Sequence, residues 1–572
     1  MGCAADATER VPPSILRERR RRRSHSGPYS MVDVLLIQPP IRDFYLTTKR
    51  TIPYGLACIA AALIQNGFSV AILDALATHR SHPLEFPDQM AYLKDYYGKS
   101  DISPFALFHQ FKHFGISFEA VGEAAKRSGA FLVGISSLFT AYSAEAVTTA
   151  EVVKRYHPGC RVVLGGHHPT AMPERVMESS AIDYVIRGEG EVAMPALARA
   201  LRSAADISSV PGIVRRRSDG TIQVSEPASL RVLDDHPGPA LQLLEHAFYQ
   251  RKKQGTAVVV ASRGCPMSCS YCSVGGSSAL TYRRRNVESV LREMEEGVLG
   301  YAVRLVDFED ENISLERTWF LELLNGITER FSVHELELRA MNGLLPNTLD
   351  EEVIRAMRAA GFRTLNLSLG STSEDQLRQF RRPNVTEAFD QVLGLAEKQG
   401  LQAVGYLIAG APGQDPDTSL ADLLHLASRR VLVGLSIYYP APGSSDFEKC
   451  ARANLLPQQL SLWRSSAVPV SDTTTREESI TLLRLARLLN FMKLLADRGQ
   501  SRPQPTPCTA GDFQAVGDRT EIGRVLLRWF LHDGRIRGVT RDGKLYEHRI
   551  SQRLSLRFLE GLKEIRVRGT SR

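Results

Sequence analysis

Three cysteines within eight residues carry the strongest chemical signal in this 572-residue sequence. The apolar stretch Ala257 to Ala261 runs into Ser262-Arg263-Gly264-Cys265-Pro266-Met267-Ser268-Cys269-Ser270-Tyr271-Cys272. A C-x3-C-x2-C spacing inside one loop lets three thiolates wrap a single compact metal centre. Zinc would need a fourth ligand such as His246, and zinc sites usually draw on two separated ligand pairs, of which the second is missing here. Three thiolates suit a [4Fe–4S] cluster with one iron left open to an external ligand, and that is the expected cofactor. Three unligated cysteines at the end of a strand are the plainer reading. The other five cysteines, Cys3, Cys58, Cys160, Cys450 and Cys508, are scattered, which excludes a disulfide scaffold.

The elements that must hold this loop follow from the apolar periodicity. Strand-length runs at Val34–Gln38, Ser69–Asp74, Phe131–Ser136, Arg161–Leu164 and Tyr184–Ile186 alternate with helical segments at Gly55–Gly67, Ala144–His157 and Val192–Ser203. Continuous Val/Ile/Leu strands separated by helices predict a parallel sheet covered on both faces. Residues 77–125, rich in Phe, Tyr and His, interrupt that order and are expected as a helical insertion over the sheet edge. A hairpin-like segment at 212–224 and Pro237-Gly238-Pro239 suggest a connection. A second βα series then reads at Ala257–Val260, Val303–Phe308, Glu335–Arg339, Thr364–Ser368, Ala403–Ile408 and Val433–Ile437. Six units over about 190 residues fall short of the ~250 of an eightfold barrel. The expected fold is thus α/β: a doubly wound parallel sheet (31–205), a linker (206–250), a partial (βα)6 barrel (251–450) and a small C-terminal α+β cap (451–572). In the cap, Asp533-Gly534 and Asp542-Gly543 are expected as turns between short strands.

Composition narrows the partners. No run of ~18 apolar residues exists, so no membrane span is expected. The net charge is +8, which by itself would raise nucleic acid as a partner. Residues 1–30, with the block Arg19–Arg23, carry +4 and residues 549–572 carry +5, leaving 31–548 at −1. Nucleic acid is therefore not the expected partner. Residues 1–30 lack the apolar region of a secretory signal and read as a disordered basic extension. Met31 directly before the first strand is the expected translation start, and the cytoplasm the expected compartment.

The triplet at the end of the first barrel strand resembles the hallmark of the radical S-adenosylmethionine (SAM) superfamily, and the resemblance spans roughly 255–450. Tyr271 fills the aromatic position before the last cysteine, and Tyr282-Arg283-Arg284-Arg285-Asn286-Val287-Glu288 resembles the basic turn into the first barrel helix. Membership implies that SAM chelates the open iron and that one electron, from an external donor such as flavodoxin or ferredoxin, cleaves it to a 5′-deoxyadenosyl radical. The resemblance further implies that Asp310 and Glu311, in Phe308-Glu309-Asp310-Glu311-Asn312, hold the SAM ammonium; a solvated acidic loop is the alternative. Arg339, Asn342, Ser368 and the glycine-rich Gly405–Gly413 with Gly410 are the remaining implied SAM contacts at the C-terminal face. One departure stands out: Gly370-Ser371 occupies the place where many relatives carry Glu-Ser.

The first sheet resembles the cobalamin-binding module that precedes the barrel in a large subgroup. The matching residues are Gln38-Pro39-Pro40, Pro53-Tyr54-Gly55-Leu56, Ser136-Ser137, Gly165-Gly166-His167-His168-Pro169-Thr170 and Arg187-Gly188-Glu189-Gly190-Glu191. Most lie at C-terminal strand ends, where doubly wound sheets bind ligands. The expected cobalamin contacts are Tyr54, Gly55, Ser136, Ser137, Gly165, Gly166, His167, Gly188, Glu189 and Gly190. No histidine stands in a D-x-H-x-x-G pattern, so none is expected beneath the cobalt. The implied activity is methyl transfer to an unactivated carbon of a small molecule, planar or anionic in nature. The latter trait is suggested by Trp529, Phe530, His532, Arg535 and Tyr546, for which an ordinary small core is the alternative. The competing functions are a non-methylating oxidative cyclase or rearrangement enzyme and a non-catalytic cobalamin or redox sensor.

Overall fold

A computed structural model describes residues 31–44, 52–108, 110–251, 253–274, 281–331, 336–469, 471–509 and 518–570. The basic extension 1–30, with Cys3, lies outside them.

The first sheet contains β1 (Val34–Gln38), β2 (Val70–Asp74), β3 (Leu132–Ser136), β4 (Arg161–Gly165), β5 (Tyr184–Ile186), β6 (Ile213–Arg216) and β7 (Ile222–Val224). Its order is β7-β6-β5-β4-β3-β1-β2, parallel from β2 to β5 and antiparallel across the last two. Central β1 explains why the strands read as unbroken apolar runs. Val34 and Leu36 pack into one core, with helices α1 (Tyr54–Gln65) and α2 (Gly190–Ser203). Leu35 and Ile37 pack into another on the opposite face, with the helices Phe118–Ser128 and Ser143–Tyr156. A period-2 strand between two helical layers has no polar side to show.

Two expectations change here. The hairpin 213–224, read as part of a connection, pairs Ile213–Arg215 with Tyr184–Ile186 and extends the sheet. The 77–125 insertion is not mainly helical: Ser81–Leu84 and Phe111–Phe114 form a three-stranded antiparallel sheet with Ile41–Asp43. Pro83, Pro87 and Pro104 interrupt any long helix there. Aromatic packing holds the insertion instead, with Phe44 within 5.0–5.6 Å of the rings of Phe86, Tyr97 and Phe111.

The second sheet series contains β8 (Gln254–Val259), β9 (Val303–Phe308), β10 (Glu337–Arg339), β11 (Thr364–Gly370), β12 (Gln402–Ala409) and β13 (Leu432–Ile437). Neighbours are parallel, with two isolated parallel bridges, Leu338–Phe362 and Leu344–Leu367, joining the β10 and β11 halves. No pairing closes β13 onto β8 among the described residues, so the barrel is open. Val259, Val306, Leu338, Leu367 and Leu407 face the helices α3 (Val287–Tyr301) and its successors. The alternate positions, with Val258, Asp307 and Arg339 in register, turn inward.

The C-terminal region is less a lid than a wall. Helix α4 (Arg476–Asp497), opened by a Thr475–Glu478 capping box, buries Leu482, Leu485, Leu488 and Leu489 in the barrel core. Its Asn490 amide bonds both the N–H and the C=O of Val433 at 2.9 Å, as another strand would, and so covers an edge. Gly534 ends the helix Arg519–Asp533 in a left-handed conformation (φ 71°) rather than turning a hairpin. The Asp542-Gly543 turn does lie between Arg537–Val539 and Leu545–Glu547. Trp529 and Phe530 are buried in the barrel core, Tyr546 hydrogen-bonds the Ser100 carbonyl at 3.2 Å, and Arg535 pairs with Glu547 at 3.1 Å. No helix among the described residues is long and apolar enough to cross a membrane.

Candidate functional site

The cysteine loop leaves β8 and is anchored at both ends. Asp310, 3% exposed, accepts from the Ala261 N–H at 3.2 Å, the Ser262 N–H and the Ser262 hydroxyl at 2.6 Å. Burial pushes its carboxyl up to about 7 against those hydrogen bonds. Glu311, exposed, accepts from the Gly264 N–H at 3.2 Å. At the far end, buried Ser270 donates its N–H to Phe380 O and its hydroxyl to Asp446, at 2.8 and 2.7 Å, while the Asp446 N–H donates to Ser270 O at 2.8 Å. Cys265 and Cys269 lie between these anchors and Cys272 two residues past the second, all half-buried and unbridged, and the structure does not gather them into a metal-holding group. A loop pinned at both ends with its thiols left over is a donor set suited to a thiolate-bound cluster.

The acidic pair therefore contacts the loop backbone in this structure, Asp310 with both oxygens engaged. Arg339 pairs with Glu337 at 2.9 Å and Asn342 donates to Glu309 O at 2.8 Å, both at the end of β10. Ser368 and Tyr271 are joined through a residue that the sequence alone did not point to. Arg382 donates to Ser368 O at 2.5 Å and to the Tyr271 hydroxyl at 2.8 Å. Its side chain also accounts for Gly370. That glycine has φ +82°, and a Cβ there would stand 3.3 Å from Arg382 Cδ. Gly410 begins a loop closed by Gln414, fully buried, which accepts from Ala411 N–H at 3.0 Å and donates to Ile408 O at 2.8 Å.

The first domain offers a crevice at the C-terminal edge, between β1 and β3, where the strand order reverses. Gln38, Pro39, Ser136, Ser137, Phe139 and Tyr142 line it. The Ser137 N–H donates to Gly165 O at 2.8 Å and its carbonyl accepts from His168 N–H at 3.2 Å, so the β3 and β4 ends form one cradle. Gly166 completes it with φ +122°, where a Cβ would come within 2.6 Å of Ser137 O. Gly188 joins through its N–H to Thr170 Oγ1 at 2.9 Å. The Ser137 hydroxyl is buried without a partner, as expected of a group awaiting a ligand. A glycine-lined cradle with an orphaned hydroxyl fits a large, flat, amide-bearing group. His167 is exposed, whereas His168 is buried against Thr140 and pushed down to about 4 by burial. Among the described residues, no histidine lines the crevice.

The structure divides the remaining expected cobalamin residues from this cradle. Tyr54 is buried, with its hydroxyl donating to Glu293 on α3 at 3.3 Å. Gly55 sits exposed in the first turn of α1, and Gly190 packs under Ile59. Glu189 pairs with Arg263 at 3.0 Å and Arg283 at 2.8 Å, and Arg263 also reaches Glu191 at 2.6 Å. Burial would raise the Glu189 carboxyl, but Arg283, the Leu230 N–H and Arg263 hold it below the usual range.

These ion pairs are one of two seams that bring the C-terminal ends of both sheets face to face. In the other, Arg464 donates to the Arg42 and Ala141 carbonyls, both at 2.8 Å, and Ser466 to Asp43 at 3.1 Å. Ser465 between them bonds Ile437 O at the end of β13. Leu138 and Phe139 on the crevice side, and Met341 and Tyr439 on the barrel side, stay 40–48% exposed. Tyr439 is within electrostatic reach of Cys272. No local motif signalled Arg464, Arg382 or Asp446, because their partners lie far off in the chain.

A family model described as B12 binding domain matches residues 47–198, and one described as Radical SAM superfamily matches 259–426. The chain is 27% identical over 434 residues to an uncharacterized methyltransferase of Pyrococcus horikoshii, covering 74% of this chain and 84% of that protein. It is 23% identical to the cytidylyl-2-hydroxyethylphosphonate methyltransferase of Streptomyces wedmorensis, over 75% of this chain and 84% of the relative. Its fold matches the radical SAM methyltransferase TsrM of Kitasatospora setae, solved with cobalamin and a [4Fe–4S] cluster bound, with TM-score 0.58 and 18% identity over 79% of this chain and 90% of that one. With the cysteine loop at the mouth of an open barrel and a glycine cradle facing it, the chain belongs to the radical SAM superfamily, in the group that carries an N-terminal B12-binding domain.

Proposed function

We propose that this chain is a cobalamin-dependent radical SAM enzyme that transfers a methyl group to an unactivated carbon of a small molecule. The observation that carries the reading is the pinned cysteine triplet at the barrel mouth, set opposite the Ser137–Gly166 cradle across a polar seam. Cys265, Cys269 and Cys272 would hold a [4Fe–4S] cluster, which supplies the electron for SAM cleavage, and the cradle would hold cobalamin, which supplies the methyl group.

The chain's own residues do the positioning. Asp310 and Asp446 fix the cysteine loop on either side of Cys265 and Cys269, which limits the rearrangement needed to bring the three thiols onto one cluster. Arg382 ties Tyr271 to Ser368 and holds the mouth at a set width. Leu138, Phe139, Met341 and Tyr439 give an apolar approach that excludes water where a carbon radical must survive. Inside the barrel, Asp307, pushed up to about 6 by burial, lies in register with Arg339, and Asn366 donates to the Tyr406 hydroxyl at 2.7 Å. These polar groups, with Glu311, Asn342, Ser368 and the Gly410 loop, are the proposed SAM contacts. An external one-electron donor such as flavodoxin or ferredoxin would reduce the cluster. We place the protein in the cytoplasm, where thiols stay reduced.

Anaerobic turnover with SAM labelled in its methyl group tests the reading. Label should appear in product, together with 5′-deoxyadenosine. Formation of 5′-deoxyadenosine with unlabelled product would favour a cyclase or rearrangement, and absence of both would remove catalysis altogether.

A further inference from the structure

Two aspartates at strand ends tie the crevice of the first domain to parts of the chain that lie outside it. Asp74 ends β2 in register with Gln38, the last residue of β1. Its Oδ1 accepts from Gln38 Nε2 at 2.9 Å and from the Leu76 N–H at 3.0 Å, and both of those residues line the crevice. Its Oδ2 accepts from the Tyr249 hydroxyl. Tyr249, 1% exposed, belongs to the connection, and its carbonyl accepts from the Thr256 N–H, on β8, at 2.9 Å.

Asp43 repeats the arrangement with the C-terminal region. It ends the strand Ile41–Asp43 and is 2% exposed. Its Oδ2 takes the hydroxyl of Tyr142, another crevice residue, and Arg464 at 3.2 Å. Its Oδ1 takes the Phe44 N–H at 2.6 Å and the Ser466 hydroxyl at 3.1 Å. The Arg464 guanidinium also stands 5.0 Å from the centre of the Tyr142 ring. Tyr249 and Arg464 both fall beyond residues 47–198, the stretch that the B12 binding domain model matches.

An ionised carboxylate only accepts hydrogen bonds, so each aspartate fixes which atom of its crevice neighbour is turned towards it. Gln38 has its amide nitrogen on Asp74, and Tyr142 has its hydroxyl on Asp43, which limits how its ring can turn. Each aspartate is held in turn by a donor from far along the chain. The side chains of the Glu189–Arg263 seam join the same two domains without lining the crevice. Side chains set in advance lower the ordering cost of binding a preformed molecule.

We propose that Tyr249 and Arg464 are positioning residues for cobalamin: through Asp74 and Asp43 they set Gln38 and Tyr142 in the crevice, so the connection and the C-terminal region finish the first domain's ligand site. The proposal rests on the reading of this crevice as the cobalamin site.

Hydroxocobalamin, titrated into the full chain carrying its cluster and followed by equilibrium dialysis, tests it, and iron content reports the fold of each variant. Tyr249→Phe and Arg464→Met should each weaken binding about tenfold, the size of one hydrogen bond to a charged group, with iron content unchanged. Arg464→Lys, which keeps a cation for Asp43, should recover part of the loss. Arg263→Met, which loosens the other seam, should bind hydroxocobalamin as the wild type does. Unchanged binding by Tyr249→Phe and Arg464→Met, an equal loss in Arg263→Met, no recovery in Arg464→Lys, or iron lost together with cobalamin would each overturn the proposal while the functional reading stands. A wild-type chain that takes up no hydroxocobalamin would remove that reading, and this inference with it.

Discussion

The cysteine loop and the proposed cobalamin cradle would meet the same demand, holding a large redox group at a sheet's C-terminal edge, by opposite means. The loop offers three candidate ligands within eight consecutive residues and borrows its rigidity from afar, through Asp310, Phe380 and Asp446. The cradle takes its surface from the ends of several strands and rigidifies itself through short local bonds among Ser137, Gly165, His168 and Thr170. Covalent ligation demands specific atoms and tolerates a flexible chain, because the metal bonds themselves supply order. Binding a preformed flat molecule demands a shaped surface, so backbone conformation matters more than side-chain identity.

The sharpest break of that comparison is Cys269→Ala. Removing one of three ligands should abolish cluster assembly, read as lost iron and lost charge-transfer absorbance, while cobalamin uptake by the first domain persists. Loss of both together would mean that the two regions are not independently built.

Next in size is the seam. Arg263→Met leaves Glu191, with a side chain 8% exposed, without its cation, while Glu189 keeps Arg283. Stranding a buried carboxylate costs about 3–5 kcal/mol, expected here as a lowered denaturation midpoint. An unchanged midpoint would show that the domains hold together without this pair.

His168 gives the cradle an acid limit that the loop lacks. Its pKa is depressed to about 4 from an ordinary 6.5, so its contribution is complete above pH 6.5 and is lost as pH falls through 4. The shift corresponds to roughly 3 kcal/mol. Urea unfolding at pH 7 and pH 4.5 should show it, and His168→Gln should flatten that part of the profile. The last effect belongs to Gly166→Ala, where a glycine-only backbone conformation costs about 1–3 kcal/mol and a Cβ 2.6 Å from Ser137 O would force the cradle backbone to shift, seen as weaker cobalamin binding with cluster content unaffected.

Local spacing made the metal loop legible, since all its ligands sit within one turn of chain. The eleven apolar runs made the cores of the two sheets legible, because burial on both faces leaves no polar alternation to confuse the period. The insertion was misread as helical because aromatic content does not specify a period. Only burial of Phe44, Tyr97 and Phe111 against one another selected the antiparallel arrangement. Tyr54 and Glu189 fell among cobalamin residues in the sequence, yet they face Glu293, Arg263 and Arg283.

Charge shows the same division. The sequence by itself located the positive excess at the two ends of the chain, but its meaning was open until partners could be named. Arg549 pairs with Asp95 and Glu477, Arg553 with Asp417 and Glu478, Arg557 with Asp417 and Arg568 with Glu397. The C-terminal basic stretch is folded back onto acids of the body rather than held out for a nucleic acid. The spacing of the cysteines and the order of the core strands along the chain are properties of short segments, and the sequence determined them. The pairing of charges, the filling of the place beside Gly370 by Arg382 and the facing of the two sheets depend on residues tens to hundreds of positions apart, which only the tertiary structure brings within reach.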